Sequence, residues 1–69
     1  MANIHVGQVV IARTASERDL EKRAVTGVVM GRDFPVVWVS RLEEWDAAKR
    51  EGREPDAVPW PAEDVRAST

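Results

Sequence analysis

The sequence predicts a small, mainly β domain with one inserted helix, and three observations carry that reading. Short runs rich in β-branched residues recur along the chain, each bounded by glycine, proline or charge. One segment, residues 41–51, carries helix signals at both ends. The chain has 69 residues, 43% of them hydrophobic, and a net charge of −2, which suits one globular domain rather than a disordered segment. Residues 1–69 are read as a single domain, with 1–4 and 68–69 expected to be flexible tails.

The first run, Val6–Arg13 (VGQVVIAR), reads as a strand. Val6, Gln8, Val10 and Ala12 share one face, and Gly7, Val9, Ile11 and Arg13 the other. Val9 and Ile11 are the expected core positions. Residues 14–23 (TASERDLEKR) are polar apart from Leu20 and read as a charged loop with some helical character, Ser16 being the candidate cap and Leu20 the anchor. Residues 24–31 (AVTGVVMG) read as the second strand, with Gly27 marking a bulge or bend, and Gly31-Arg32-Asp33 as a turn. Val36–Ser40 (VVWVS) is the third strand. Val37 and Val39 share one face, Val36, Trp38 and Ser40 the other, and large apolar groups on both predict cover on both sides.

The helix is the expected cover. Ser40-Arg41-Leu42-Glu43 matches a capping box, and Gly52 stands where a left-handed C-cap belongs. Acids fill the first turn, and Lys49 and Arg50 sit near the end, as the helix dipole favours. Leu42, Trp45 and Ala48 form a narrow stripe, so Trp38, Leu42 and Trp45 are expected to build a small outer core. Residues 53–55 are an exit loop and 57–60 (AVPW) a short edge strand broken by Pro59. Residues 61–64 (PAED) read as one helical turn, and 65–67 as the closing strand.

That order is similar to an SH3-like small β-barrel of about five strands with an α-helix, residues 41–51, inserted between the third and fourth. The stretches that carry the resemblance are Val6-Gly7-Gln8-Val9-Val10, Val25-Thr26-Gly27-Val28-Val29 and Pro61-Ala62-Glu63-Asp64-Val65, the last looking like the single 3₁₀ turn before the closing strand of that fold. Barrels that bind proline-rich peptides use several tyrosines, and this chain has none. Residues 25–31 also look like the KOW-type segment of ribosome- and polymerase-associated barrels, without its flanking basic residues. In its Arg-, Ala-, Val- and Asp-rich usage, and in WVSRLEEWDAAKREGREPDAVPWPAEDVR, the chain resembles small uncharacterised proteins of actinobacteria and actinobacteriophages.

Little chemistry is written in the residues. With no cysteine there is no disulfide, no thiolate zinc site and no cysteine nucleophile. His5 is the only histidine, so no triad can be assembled, and no glycine loop cradles a phosphate. Acids at 43, 44, 46, 63 and 64 stand at helix starts, where the dipole accounts for them. Catalytic, cofactor and metal residues are therefore expected to be none. No apolar run approaches the roughly 20 residues of a membrane span, and the N-terminus lacks a signal-like pattern, so the expected location is cytoplasmic.

Binding is the better-supported role. The chain has 3 tryptophans. Trp60 stands between two prolines that fix its backbone, and reads either as an anchor for a partner or as a plug of the barrel's open end. The leading expectation is a non-enzymatic protein-interaction module, phage-encoded and acting on a host factor, with Trp60, Trp45, Arg18, Lys22 and Arg23 at the contact. The alternative is a nucleic-acid-binding barrel using a basic rim of Arg13, Arg23, Arg32 and Arg41. A further alternative is a self-associating homo-oligomer that covers the edge strand at 57–60. Charge is divided, with a net of +2 over residues 1–41 and −4 over 42–69.

Overall fold

A computed structural model describes residues 4–30 and 34–68, apart from the side chain of Met30. The strands are β1 (Val9–Arg13), β2 (Asp19–Ala24), β3 (Val29–Met30), β4 (Pro35–Ser40), β5 (Val58–Pro61) and β6 (Val65–Ala67). One helix, α1 (Leu42–Glu51), lies between β4 and β5, and a 3₁₀ turn (Ala62–Asp64) joins β5 to β6. All pairings are antiparallel, in the order β5-β4-(β3, β2)-β1-β6. β2 and β3 are two halves of one bent strand, since both pair with β4. From Ala24 to Val29 takes five steps, while their partners Val39 and Val36 are three apart. Two extra residues therefore bulge out, and the strand turns a corner there. Gly27 stands in that bend, where a Cβ would lie 3.1 Å from the carbonyl oxygen of Ile4. Counted with β2–β3 as one strand, this is an SH3-like barrel of five strands with its helix inserted between the third and fourth.

The fully buried cluster is Val10, Ala24, Val37 and Val39, with Ile4, Val28, Trp60, Ala62 and Val65 packed against it. Ile4 is thus held by the core rather than lying in a flexible tail, and the Ser68 N–H donates to the carbonyl of Val9. Residues 1–3 and 69, and the expected turn at 31–33, lie outside the described residues.

Several local expectations are corrected. Residues 6–8 form a turn rather than strand, and β1 buries Val10 and Ala12 instead of Val9 and Ile11. Both faces of β1 carry apolar groups, so its partners decide which turns inward. Val10 and Ala12 stand opposite Lys22 and Leu20 of β2 and Ala67 and Val65 of β6. Residues 14–23 are a tight turn followed by β2, with no helical character. Thr14 organises the turn: its N–H donates to the Arg18 carbonyl at 2.8 Å, and its Oγ1 accepts the Arg18 N–H at 3.0 Å. β2 (DLEKRA) is so charged that its pairing with β1, not its own propensity, makes it a strand.

The helix ends as its sequence requires and begins differently. Gly52 takes φ 71°, ψ 27° as the left-handed cap. The N-cap is Arg41, with no side-chain cap bond, because Ser40 still belongs to β4, buried and donating to the Arg41 carbonyl. Nor does α1 cover Trp38. It packs against β2 and the turn at Gly7, where a Cβ would meet the Trp45 ring at 3.7 Å. Trp38 remains 39% exposed, so the expected outer core of Trp38, Leu42 and Trp45 does not form.

Candidate interaction surface

Register fixes which side chains share a face, because cross-strand partners point the same way. Val29 of β3 stands opposite Val36 of β4, which stands opposite Pro61 of β5. Trp38 stands opposite Pro59. These residues lie on the outer face, since Val37 and Val39 turn inward. Phe34, just before β4, extends the row and is 61% exposed, and Val29 is 43% exposed. The result is an uncharged apolar row of Val29, Phe34, Val36, Trp38, Pro59 and Pro61. At its Phe34 end an open groove of about 360 Å³ is lined by Phe34, Pro35, Pro61, Ala62 and Glu63.

The other half of the same sheet is charged on its outer face. Arg13 stands opposite Asp19, Ile11 opposite both Glu21 and Arg66, and Val9 opposite Arg23. Arg66 bridges to Asp19 at 2.7 Å and Arg13 to Glu17 at 3.2 Å. The outer surface therefore divides into a neutral half, β3-β4-β5, and a charged half, β2-β1-β6.

The expected contact residues fall in different places. Trp60 turns inward from β5, packs on the core, and donates its indole N–H to the carbonyl of Arg13 at 2.9 Å. It closes the gap between the last residue of β1 and β5, with the Lys22 ammonium 6.0 Å from its ring. Trp45 is half-buried beside Gly7, and the Lys49 ammonium lies 4.6 Å over its ring. Arg18 is exposed at the hairpin turn. Lys22 and Arg23 are neighbours on β2 and point to opposite faces, Arg23 donating to the Gly7 carbonyl at 2.9 Å. These five do not form one patch.

Nor do the arginines form a single rim. Arg13 and Arg23 lie at opposite ends of the β1–β2 ladder, which pairs Arg13 with Asp19 and Val9 with Arg23. Four strand residues separate such ends by about 13 Å. Arg41 is exposed at the start of α1, and Arg32 lies outside the described residues.

One ionic cluster is structural. Glu44 accepts from the Arg53 guanidinium at 2.7 and 3.2 Å and from the Asp56 backbone N–H at 2.9 Å. The Arg53 bonds, then the Asp56 N–H, hold the Glu44 carboxyl at about 2, and the same pairing with Glu44 and Glu51 pushes the guanidinium of Arg53 further up. This clamp ties the helix to the loop that delivers β5.

Among the described residues no group of three His, Cys, Asp or Glu could hold a metal, and no helix is long and apolar enough to cross a membrane. No known protein family, curated protein or solved structure matches this chain.

The neutral row stays hidden in the sequence as long as the helix is expected to cover Trp38. A signal was present in the pairing of alternation with proline. Val36 and Trp38 alternate with the buried valines, and β5 offers Pro59 and Pro61 opposite them, residues that add neither charge nor backbone donors.

Proposed function

We propose that this chain is a non-enzymatic protein-interaction module whose docking surface is the neutral half of the sheet. The observation that carries the reading is the exposed, uncharged row built around Trp38 and Phe34, on a sheet whose other half is charged on its outer face. Exposed apolar patches of this kind mark interaction sites, and tryptophan is enriched where binding energy concentrates. A partner that suits the row presents an apolar surface of its own. The resemblance to actinobacterial and phage proteins supports a bacterial or phage setting, in which that partner is a host factor. Affinity capture from the source cells tests the reading. A protein retained by the wild type and by Arg18→Glu, and lost by Trp38→Glu, supports it. Capture that is indifferent to Trp38 sinks it.

Edge-strand pairing is poorly served. An antiparallel ladder alternates bonded and non-bonded pairs. Pro59 and Pro61 have no N–H, so the donors facing β4 belong to Val58 and Trp60, and the proline nitrogens face the open edge. A strand added there would meet no donor at either position.

A further inference from the structure

The neutral face carries a projection and a recess side by side. Phe34 is the most exposed large apolar side chain of the described residues, at 61%, and it borders the groove of about 360 Å³ that Pro35, Pro61 and Ala62 complete. A cavity of about 150 Å³ is enough to hold a benzene ring, so the groove is roomy enough for a phenyl side chain.

We propose that this face closes on a second copy of the same chain, in a two-fold dimer where Phe34 of each chain enters the groove beside Phe34 and Pro61 of the other and both Trp38 rings are buried. The inference rests on the reading of the neutral face as an interaction surface and names its occupant. Three further observations favour a copy. A two-fold axis makes each chain supply the same patch, so a projection adjoining a recess is self-complementary by construction. The row of Val29, Phe34, Val36, Trp38, Pro59 and Pro61 carries no charge, so the copies bring no like charges together along it. Glu63, the one charged residue among the described residues that line the groove, is exposed, where water continues to solvate it.

Area sets the strength. With Phe34 61%, Val29 43% and Trp38 39% exposed, the row offers at most roughly 500 Å² per chain, so a dimer would bury no more than about 1,000 Å² in total, the lower end for a specific interface. An interface of that size belongs with the weak, transient ones, so the expected dimer is weak. It also stops at two, because a two-fold contact uses the same patch on both chains and so closes on itself.

Sedimentation equilibrium from about 1 μM to about 1 mM tests this. The wild type is expected to rise from 7.7 kDa towards twice that mass. Its tryptophan emission should shift to the blue over the same range as Trp38 leaves water. Phe34→Glu and Trp38→Glu should stay monomeric throughout, each with a folded circular dichroism spectrum, while Arg18→Glu should dimerise like the wild type. A wild type still monomeric at about 1 mM overturns the dimer, and if Trp38→Glu also loses a captured partner, the interaction face survives with a different occupant. Folded Phe34→Glu and Trp38→Glu that dimerise like the wild type would overturn the choice of face.

Discussion

At the scale of single residues, backbone conformation and a few specific bonds set the sensitivities. Gly52 at φ 71° closes the helix, and Gly52→Ala should cost about 1 kcal/mol in urea unfolding. Glu17 is the one non-glycine residue with positive φ among those described, at 64°, and its partner Arg13 is exposed. Relief of that strain should outweigh a surface ion pair, so Glu17→Gly should stabilise the chain by about 0.5 kcal/mol. Trp60 joins the gap between β5 and β1. Trp60→Phe, which removes only the bond to the Arg13 carbonyl and part of the ring, should cost about 1–2 kcal/mol. Glu44 gives a pH dependence. Its folded carboxyl titrates at about 2 against an ordinary 4.5, so its contribution is complete above 4.5 and is lost as the pH falls towards 2. The melting temperature of the wild type should exceed that of Glu44→Gln at pH 7, and most of that advantage should disappear by pH 2.

At the scale of elements, the sequence was most legible where one signal acted alone. The C-cap of α1, the single turn at 62–64, the corner at Gly27 and the strand at 36–40 all follow from local chemistry that the structure retains. β2 was not legible. Its alternation puts Leu20, Lys22 and Ala24 inward, and only Ala24 is both apolar and fully buried. The Lys22 ammonium lies 6.0 Å from the centre of the Trp60 ring, an inward role that its residue type conceals. The position of α1 was not legible either. Its stripe of Leu42, Trp45 and Ala48 requires a partner surface, but nothing in the stripe says which. The structure places it on β2 and Gly7, and this has a measurable consequence. Trp38 should be accessible to acrylamide, and in chains carrying Trp60→Phe, where replacing Trp45 leaves Trp38 as the one indole, its quenching should be the same for Trp45→Ala as for Trp45→Phe. An increase in quenching on Trp45→Ala would show that the helix covers it after all.

At the scale of the whole molecule, the barrel gathers its core from all parts of the sheet and leaves its two outer halves chemically unlike. Val39→Ala, inside the barrel, should cost about 2 kcal/mol or more. Trp38→Glu, one position away and on the outer face, should leave the chain folded while abolishing association through the neutral face. The contrast separates core from surface on one strand. By itself the sequence determined that this is a small barrel with a capped helix inserted late, because β-branched runs, glycine corners and cap residues act locally. It also determined the parity of β4, in which Val37 and Val39 lie on one side and Val36 and Trp38 on the other. Tertiary structure alone decided which tryptophan meets water. Cover for the outer face of β4 depends on where a docked helix comes to rest, and that position is set by contacts between segments far apart in the chain. The helix came to rest on β2, and the face around Trp38 was left open.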